Sequence, residues 1–200
     1  MSPQPSNRSN LIEGTLRCLE RLPPERVTAR AITEESDANL ASIAYHFGSK
    51  DNLVTEAVVV GLDRWLEEIA DALSDLDVRT PRQRLRTAFA AIETTRERHE
   101  GLARNFLGAL SRAQHSAQIQ EVLSDGFRHT RPNVAAVLDL GSDQVGEDAA
   151  GLIHALFVGL LFQTLLAPDL AIEGERMELG LARLRRALPN RPTSRRSRRQ

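Results

Sequence analysis

Tyr45 and His46 place a phenol beside an imidazole in a stretch, residues 38–48, that carries no charge. Hydroxyl and imidazole groups can hydrogen-bond to DNA phosphates, and small apolar side chains can touch thymine methyl groups in a groove. An uncharged outward face is unusual for a helix that meets only water, so we predict that this face contacts DNA. A small helical bundle that binds no DNA can carry a similar turn. The predicted groove-facing side chains are Leu40, Ala41, Ser42 and Ala44.

These side chains need a scaffold, and residues 27–53 are predicted to form a helix-turn-helix that presents them. The pattern indicates one short helix over about 28–35, a turn at 36–38, a second helix over about 40–47 and a third after Ser49. Two short helices joined by a three-residue turn are typical of this unit. The side chains predicted to face inward are Ile32, Ala38, Ile43 and Phe47.

Capping residues stand at each predicted helix boundary. Thr28, Asn39 and Ser49 are good N-caps because their side-chain oxygens can accept a hydrogen bond from an amide of the first turn. Gly48 supplies the permissive backbone that ends the second helix. Local chemistry therefore supports the same boundaries as the apolar pattern.

The same residues resemble the signature of the tetracycline-repressor (TetR) family of bacterial transcription regulators. The resemblance rests on Thr28-Ala29-Arg30, Ile32, the run from Ile43 to Lys50, and Leu53, and it covers about the first quarter of the chain. It implies an amino-terminal three-helix DNA-binding domain and an all-α domain for ligand binding and dimerisation. In such a regulator a small molecule usually relieves repression.

Positions carried over from the family give each side chain an expected role. Tyr45 and Lys50 would contact operator phosphates with His46 beside them, and Thr28 and Arg30 would approach the DNA backbone. Two departures put the operator sequence in doubt more than the fold. Ala44 stands where the family often has Tyr or another polar residue. The turn reads Ser36-Asp37-Ala38 where Ala-Gly-Val is usual, so Asp37 is expected to adopt the left-handed conformation.

The charge balance predicts that DNA binding rests on a few placed groups rather than on a basic patch. The formal net charge is −1, and residues 1–53 carry six basic and seven acidic side chains. We expect Glu34 and Glu35 to turn away from phosphate. Lys50 is the only lysine, and the segment 183–200 holds eight Arg and no acid. The candidate cations of the DNA-binding domain are Arg8, Arg26, Arg30 and Lys50.

Composition indicates a cytoplasmic all-α protein. Aromatic residues are only 4% of the chain, and no run alternates apolar and polar residues as an exposed strand would. The single cysteine, Cys18, excludes an internal disulfide and fits a reducing compartment. We find no signal peptide, and we expect the longest apolar stretch to be too short and broken to span a membrane.

About nine helices and three regions are expected: a helix-turn-helix domain over 1–53, a helical ligand-binding and dimerisation domain over 54–188, and a disordered basic tail over 189–200. A first helix over about 10–22 should cover the helix-turn-helix, and a long helix should run from 49 to about 74. A polar break over 75–80 should precede a helix over 81–99. Gly101 and Gly108 should bracket a shorter helix, followed by one over 116–140 that is kinked or broken at Pro132.

A ligand cavity is predicted among the helices of residues 61–130, for a hydrophobic or amphipathic molecule. Trp65 is interpreted as a core residue, with a place in the cavity wall as the alternative. The candidate lining residues are Trp65, Phe89, Asn105, Phe106 and Phe127.

A dimer interface is predicted on residues 147–167, which are almost continuously apolar, together with a shorter helix over 175–188. A helix that is apolar on nearly every side must be covered on every side. A four-helix bundle across a two-fold axis would do this. The alternative is a central helix buried within a monomer. The candidate interface residues are Ile153, Leu156, Phe157, Leu160, Leu161 and Leu184.

No constellation of catalytic or metal-binding residues is apparent, and no cofactor is predicted. The five histidines show no pair at helical i, i+3 or i+4 spacing, and there is no glycine-rich phosphate loop or nucleophile elbow. We interpret His154 as a hydrogen-bonded interface histidine. The interpretation is therefore a homodimeric, ligand-responsive repressor that binds a palindromic DNA operator. The alternative is an all-α small-molecule-binding or interaction protein whose helix-turn-helix does not read DNA.

Overall fold

The computed structural model describes residues 7–74 and 80–188. Across these residues the chain forms nine α-helices and no strand, which confirms the predicted all-α class. The predictions for residues 1–6, for most of the break at 75–80, and for the tail over 189–200 fall on residues outside the described ranges. The helices are α1 (Asn7–Arg21), α2 (Ala29–Ser36), α3 (Leu40–Phe47), α4 (Lys50–Ser74), α5 (Pro81–Thr95), α6 (Glu100–Ala113), α7 (Ala117–Val137), α8 (Gln144–Leu166) and α9 (Gly174–Ala187).

The helix-turn-helix has the predicted boundaries because its caps form. Thr28 Oγ1 accepts a hydrogen bond from the Ala31 amide at 3.1 Å, and Asn39 Oδ1 accepts one from the Ser42 amide at 2.9 Å. The Asn52 amide donates to Ser49 Oγ at 3.1 Å at the start of α4. These bonds satisfy amides that have no partner within their own helix.

Two residues with positive φ end the short helices. Asp37 has φ 51° and ψ 41° after α2, which confirms that it takes the left-handed conformation in place of glycine. Gly48 has φ 75° after α3, where its missing side chain removes the steric cost. The turn and the helix end therefore form as the sequence predicted.

The amino-terminal domain has a closed apolar core. Leu11 and Leu19 of α1 pack with Ile32, Ile43 and Phe47 of the helix-turn-helix, and all five are buried. Helix α1 begins at Asn7 and ends at Arg21, close to its predicted span. This core fixes the side of α3 that points inward, and so also the side that points out.

Helix α4 connects this core to the second group of helices. Its 25 residues bury Leu53, Val54 and Val58 near the amino-terminal domain, and Trp65 and Ile69 further along. Trp65 is 2% exposed, and its indole Nε1 donates to Thr95 Oγ1 of α5 at 2.8 Å. A single rigid element thus belongs to both groups.

Two predictions about the later helices are wrong in detail. Helix α5 ends at Thr95 rather than near 99, and Gly108 lies inside α6 rather than at its end, whereas Gly101 is the second residue of α6. A Cβ on Gly101 would stand 1.9 Å from the Leu19 carbonyl oxygen, so this glycine allows α6 to touch the backbone of α1. Helix α7 continues through Pro132 without a break. Pro132 and Arg128 are exposed, so the carbonyl left without its helical partner lies on the solvent side.

Candidate DNA-binding face and ligand cavity

Helix α3 presents an uncharged, exposed face at the surface of the amino-terminal domain. Tyr45 is 85% exposed and Leu40 is 58% exposed, an unusual degree for large side chains that carry apolar surface. Ala41 and Ala44 are also exposed, and His46 is half-buried with its ring 4.8 Å from the Tyr45 ring. The structure therefore exposes four of the six side chains that were predicted to face outward from this helix, with His46 half-buried beside them.

Ser42 does not belong to that face, which corrects the prediction. It is 8% exposed, and its hydroxyl donates to Asn39 Oδ1 at 3.1 Å, so it completes the cap of α3. The reason is helical spacing, because Ser42 follows Asn39 by three residues and so lies beside its cap on the same side of the helix.

Three of the four candidate cations already have a carboxylate partner. Arg30 pairs with Glu34 at 3.0 Å, Lys50 pairs with Asp51 at 3.1 Å, and Arg8 pairs with Glu56. Glu34 is thus tied to a candidate DNA contact, contrary to the expectation that it turns away. Exposed pairs of this kind are weak and exchange readily for other charges.

The remaining acid of the first motif helix is held by α1. Glu35 Oε1 accepts a hydrogen bond from Arg17 Nε at 2.7 Å, and Arg21 pairs with the same carboxylate. Hydrogen bonds from Arg17, with a contribution from Arg21, lower the pKa of Glu35. This carboxylate therefore serves the packing of α1 against α2 and is not free to oppose a phosphate.

A cavity of about 100 Å³ opens among α4, α5, α6, α7 and α8. A volume of this order is comparable to apolar cavities that bind a small aromatic molecule. Trp65, Phe89, Phe106 and Phe127, all predicted ligand contacts, lie in its wall. Trp65 is both a core residue and part of this wall, so its two interpretations hold together.

Asn105 does not line the cavity, which corrects its assignment. It is buried, and its Nδ2 donates to the Gly101 carbonyl oxygen at 2.9 Å one turn earlier in α6. Its amide therefore serves its own helix, beside the close contact of Gly101 with α1. Phe157, which was predicted for the dimer interface, lies in the cavity wall with its ring 5.3 Å from that of Trp65.

Polar groups that the sequence analysis missed stand among these aromatic side chains. Asp63 of α4 lines the cavity and accepts a hydrogen bond from Thr130 of α7 at 3.2 Å. Burial raises the pKa of the Asp63 carboxyl, while the hydrogen bond from Thr130 and the nearby His129 oppose this shift. An acidic residue one position from an apolar stripe is a weak signal, because sequence alone does not show which side of α4 meets the other helices.

His154 also lines the cavity and is not the hydrogen-bonded interface residue that was predicted. Its Nδ1 is buried and has no hydrogen-bond partner among the described residues. Burial, with a smaller effect from Arg131, lowers the pKa of its imidazole. The imidazole of His154 is therefore part of the cavity wall, while its Nδ1 is covered by the surrounding protein.

One side chain joins α3 to a helix of the cavity wall. Asn52 Nδ2 of α4 lies 2.8 Å from the Phe47 carbonyl oxygen at the end of α3 and 2.6 Å from Gln118 Oε1 at the start of α7. Asn52 is 6% exposed, and α7 supplies Phe127 and Thr130 to the cavity. The carboxamide of Asn52 thus links the end of α3 to a helix that a ligand would touch.

Helices α8 and α9 leave an apolar face uncovered within one chain. Leu152 and Leu166 of α8 are 75% and 82% exposed, and Leu179 and Leu184 of α9 are also exposed. An 18-residue window of α8 has a mean hydropathy of 1.9, with only 11% of it buried. By length and composition α8 could span a membrane, which corrects the expectation that no stretch could.

Half of the predicted interface residues point inward instead. Ile153, Phe157 and Leu161 are spaced by four residues and share the face of α8 that packs on its own domain, where Ile153 and Phe157 line the cavity and Leu161 is buried. Leu156 and Leu160 are half-buried, and Leu184 is exposed as predicted. Leu152, which was not predicted, is among the most exposed leucines of the helix.

Within residues 7–74 and 80–188, no group of three or more His, Cys, Asp or Glu side chains is placed to hold a metal ion. The architecture is that of a helix-turn-helix regulator, with an exposed α3 at one end and an aromatic cavity in the helical domain behind it. Comparisons with known proteins identify the family of regulators to which the chain belongs.

The profile of bacterial regulatory proteins of the TetR family matches residues 11–57, and that of the BetI-type transcriptional repressor carboxyl-terminal domain matches residues 81–189. The second match alone covers more than half of the chain. The chain therefore belongs to the TetR family of transcriptional regulators. No curated protein sequence matches it significantly.

Solved structures share the fold. A proposed transcriptional regulator of Pseudomonas aeruginosa PAO1 is 24% identical with a TM-score of 0.64, over 90% of this chain and 89% of that one. The multidrug binding protein EbrR, solved with imidazole, is 23% identical with a TM-score of 0.62, over 95% and 99%. A TetR transcription regulator of Haloarcula marismortui is 19% identical with a TM-score of 0.57, over 90% and 95%.

Proposed function

We propose that the protein is a homodimeric, cytoplasmic repressor that binds a palindromic DNA operator and is released from it by a small molecule. Residues 1–53 form the DNA-binding domain, and residues 54–188 bind the ligand and the second copy. The boundary falls within α4, which is why a change in the second domain can move the first. The basic tail over 189–200 has no assigned part in this mechanism.

The observation that carries the proposal is the exposed, uncharged face of α3. Tyr45, Leu40, Ala41 and Ala44 stand out from a helix whose other side is fixed in the core. In water such a face gains nothing from its exposure, whereas in a major groove its methyl groups meet thymine methyls and the Tyr45 hydroxyl reaches a phosphate. Lys50, at the start of α4, exchanges its pair with Asp51 for a phosphate.

The uncovered face of α8 and α9 supports the dimer. Two copies of this face, related by a two-fold axis, give a four-helix bundle that buries Leu152, Leu156, Leu166 and Leu184 of each chain. The same axis places two copies of α3 about 34 Å apart, on one side of the duplex.

Release follows from the cavity and from the link through Asn52. A ligand that separates α4 from α7 shifts Gln118 relative to Asn52, and Asn52 holds the end of α3. The ligand binds more tightly to the arrangement in which the two α3 helices no longer fit the operator. The operator affinity then falls by the factor by which the ligand prefers that arrangement over the DNA-bound one.

A gel-shift titration with the DNA upstream of the protein's own gene tests the DNA-binding face. Tyr45→Ala and Lys50→Ala are each expected to weaken binding, and Lys50→Ala should lower the salt slope by about two units because a dimer loses two phosphate contacts. Arg104→Ala removes an exposed cation of α6 and is the matched control. If Tyr45→Ala and Lys50→Ala both leave the affinity for DNA unchanged, the proposed DNA-binding mechanism is contradicted. That result favours the alternative, a helical small-molecule-binding or interaction protein that does not read DNA.

A further inference from the structure

The cavity has an aromatic wall that suits a positive charge. Trp65, Phe106, Phe127 and Phe157 contribute ring surfaces, and the rings of Phe106 and Phe127 lie 6.1 Å apart. An aromatic face carries partial negative charge, and a cation within about 6 Å of a ring centre is attracted to it. Apolar ligands also fit such a wall, so a further group must decide between them.

Asp63 is that group. Among the described residues that line the cavity it is the one that is formally charged at neutral pH, and the nearby Arg131 is exposed and lies outside the lining. Its carboxylate has a single hydrogen bond from Thr130 and no ion pair among the described residues. A partly desolvated carboxylate is costly unless a cation or further donors compensate it.

His154 adds a second polar point to the same cavity. Its buried Nδ1 has no hydrogen-bond partner in the part of the chain that the structure describes, although most buried polar atoms in proteins have one. Because Asp63 lies on α4 and His154 on α8, the two groups approach the cavity from different helices. A ligand with a cationic nitrogen and an apolar body offers charge to Asp63 and can place its apolar body against the wall to which His154 belongs.

From this arrangement we infer that the effector is a hydrophobic organic amine, whose ammonium pairs with Asp63 and whose apolar body fills the aromatic cavity. The inference rests on the proposed function, because it takes this cavity as the effector site. Anionic ligands of the same size are disfavoured, since their charge would meet the Asp63 carboxylate without a lining cation to offset it. Neutral ligands fill the same volume but leave Asp63 uncompensated.

Three compounds with one apolar body and different head groups test this selectivity. Binding of 4-phenylbutylamine, 4-phenylbutan-1-ol and 4-phenylbutanoate to the full chain is measured by calorimetry at pH 7.5. The amine is expected to bind at least about ten times more tightly than the alcohol, and the carboxylate most weakly. This ranking needs no variant. An alcohol or carboxylate that binds as tightly as the amine overturns the inference, as does the failure of all three to bind.

Asp63→Asn assigns the selectivity to its residue. The substitution keeps the shape and the acceptor for Thr130 while it removes the charge, and the amine-to-alcohol ratio should fall to within about twofold. Asp71→Asn, which removes an exposed charge from the same helix, should leave the ratio unchanged. A ratio that survives Asp63→Asn overturns the role of Asp63.

Operator binding without ligand separates this inference from the proposed function. If the free protein binds its operator but shows no preference for the amine, only the identity of the effector is wrong. If the amine preference holds while the free protein binds no operator, the cavity chemistry stands and the repressor function is wrong.

Discussion

The amino-terminal domain and the helical domain behind it differ in how completely their buried polar groups and apolar side chains find partners within one chain. In the first, the buried hydroxyls and amides of Thr15, Ser36, Ser42 and Asn52 all have hydrogen-bond partners. In the second, the buried Nδ1 of His154 has no partner among the described residues, and α8 and α9 expose leucines. The first domain is complete as one chain, whereas the second has a cavity inside and an apolar face outside.

This difference matches the two tasks in the proposed function. A reading helix must hold its side chains in one geometry, because a small displacement loses contacts to base edges and phosphates. A sensing domain must bind a ligand and a second copy of the chain. The groups that make these contacts are therefore left without partners in the single chain, as a cavity and an uncovered apolar face. The contrast predicts where substitutions will act.

The largest effect is expected at the uncovered face. Leu152→Glu should weaken the dimer by at least about a hundredfold, because each interface would bury two carboxylates without partners. Sedimentation velocity at micromolar concentration measures it. Gln114→Glu adds the same charge at an exposed position of the loop after α6 and should leave the dimer intact. If wild-type protein sediments as a 22.2 kDa particle, this face is not a dimer interface.

A substitution at the contact between α1 and α6, where Gly101 meets the Leu19 backbone, should have nearly as large an effect. Gly101→Ala places a Cβ 1.9 Å from the Leu19 carbonyl oxygen, and two backbones must separate to admit it. We expect the free energy of unfolding to fall by about 3 kcal/mol. Gly108→Ala in the same helix is the control, because its Cβ would meet only the movable guanidinium of Arg112. That variant should be neutral or more stable by up to about 1 kcal/mol. Urea unfolding curves compare the two, and equal losses would contradict the close contact.

The link through Asn52 should show a smaller, local effect. Gln118→Ala removes one of the two acceptors of the Asn52 amide, which costs about 1 kcal/mol. Amide hydrogens at the end of α3 and the start of α4 should then exchange about five times faster. Gln120→Ala, an exposed glutamine two residues further along α7, is the control. Equal exchange rates in wild type and Gln118→Ala would show that Asn52 does not transmit constraint to α3.

The smallest effect is expected for His154. Because burial lowers its pKa, the unfolded chain binds the proton more readily, so stability is lost as pH falls below the unfolded value of about 6.5. His154→Leu removes this dependence, and the variant should gain stability relative to wild type between pH 7.5 and pH 5.5. The raised pKa of Asp63 acts in the opposite direction in both proteins and cancels in the difference. If the stability of wild type and of His154→Leu changes with pH in the same way over this range, burial does not lower the pKa of His154.

Sequence reasoning succeeded where structure depends on neighbours along the chain. Thr28, Asn39 and Ser49 cap helices through bonds to residues three positions later, so their roles can be read directly from the sequence. It failed for Ser42, which was predicted to face a DNA groove but is turned inward as part of the α3 cap, and for Asn105, which was predicted to line the cavity but bonds to the backbone of its own helix. The need for glycine at position 101 could not be read from the sequence either, since the α1 backbone that it touches lies about eighty residues away.

The sequence by itself determined the all-α class, the helix-turn-helix and its family, because caps, turns and apolar spacing act over a few residues. Only the tertiary structure decided which apolar residues of α8 face the cavity and which stay exposed, and which acid of α4 stands among the aromatic rings. A helix that is apolar on nearly every side has no preferred face of its own, and its neighbours in space choose one.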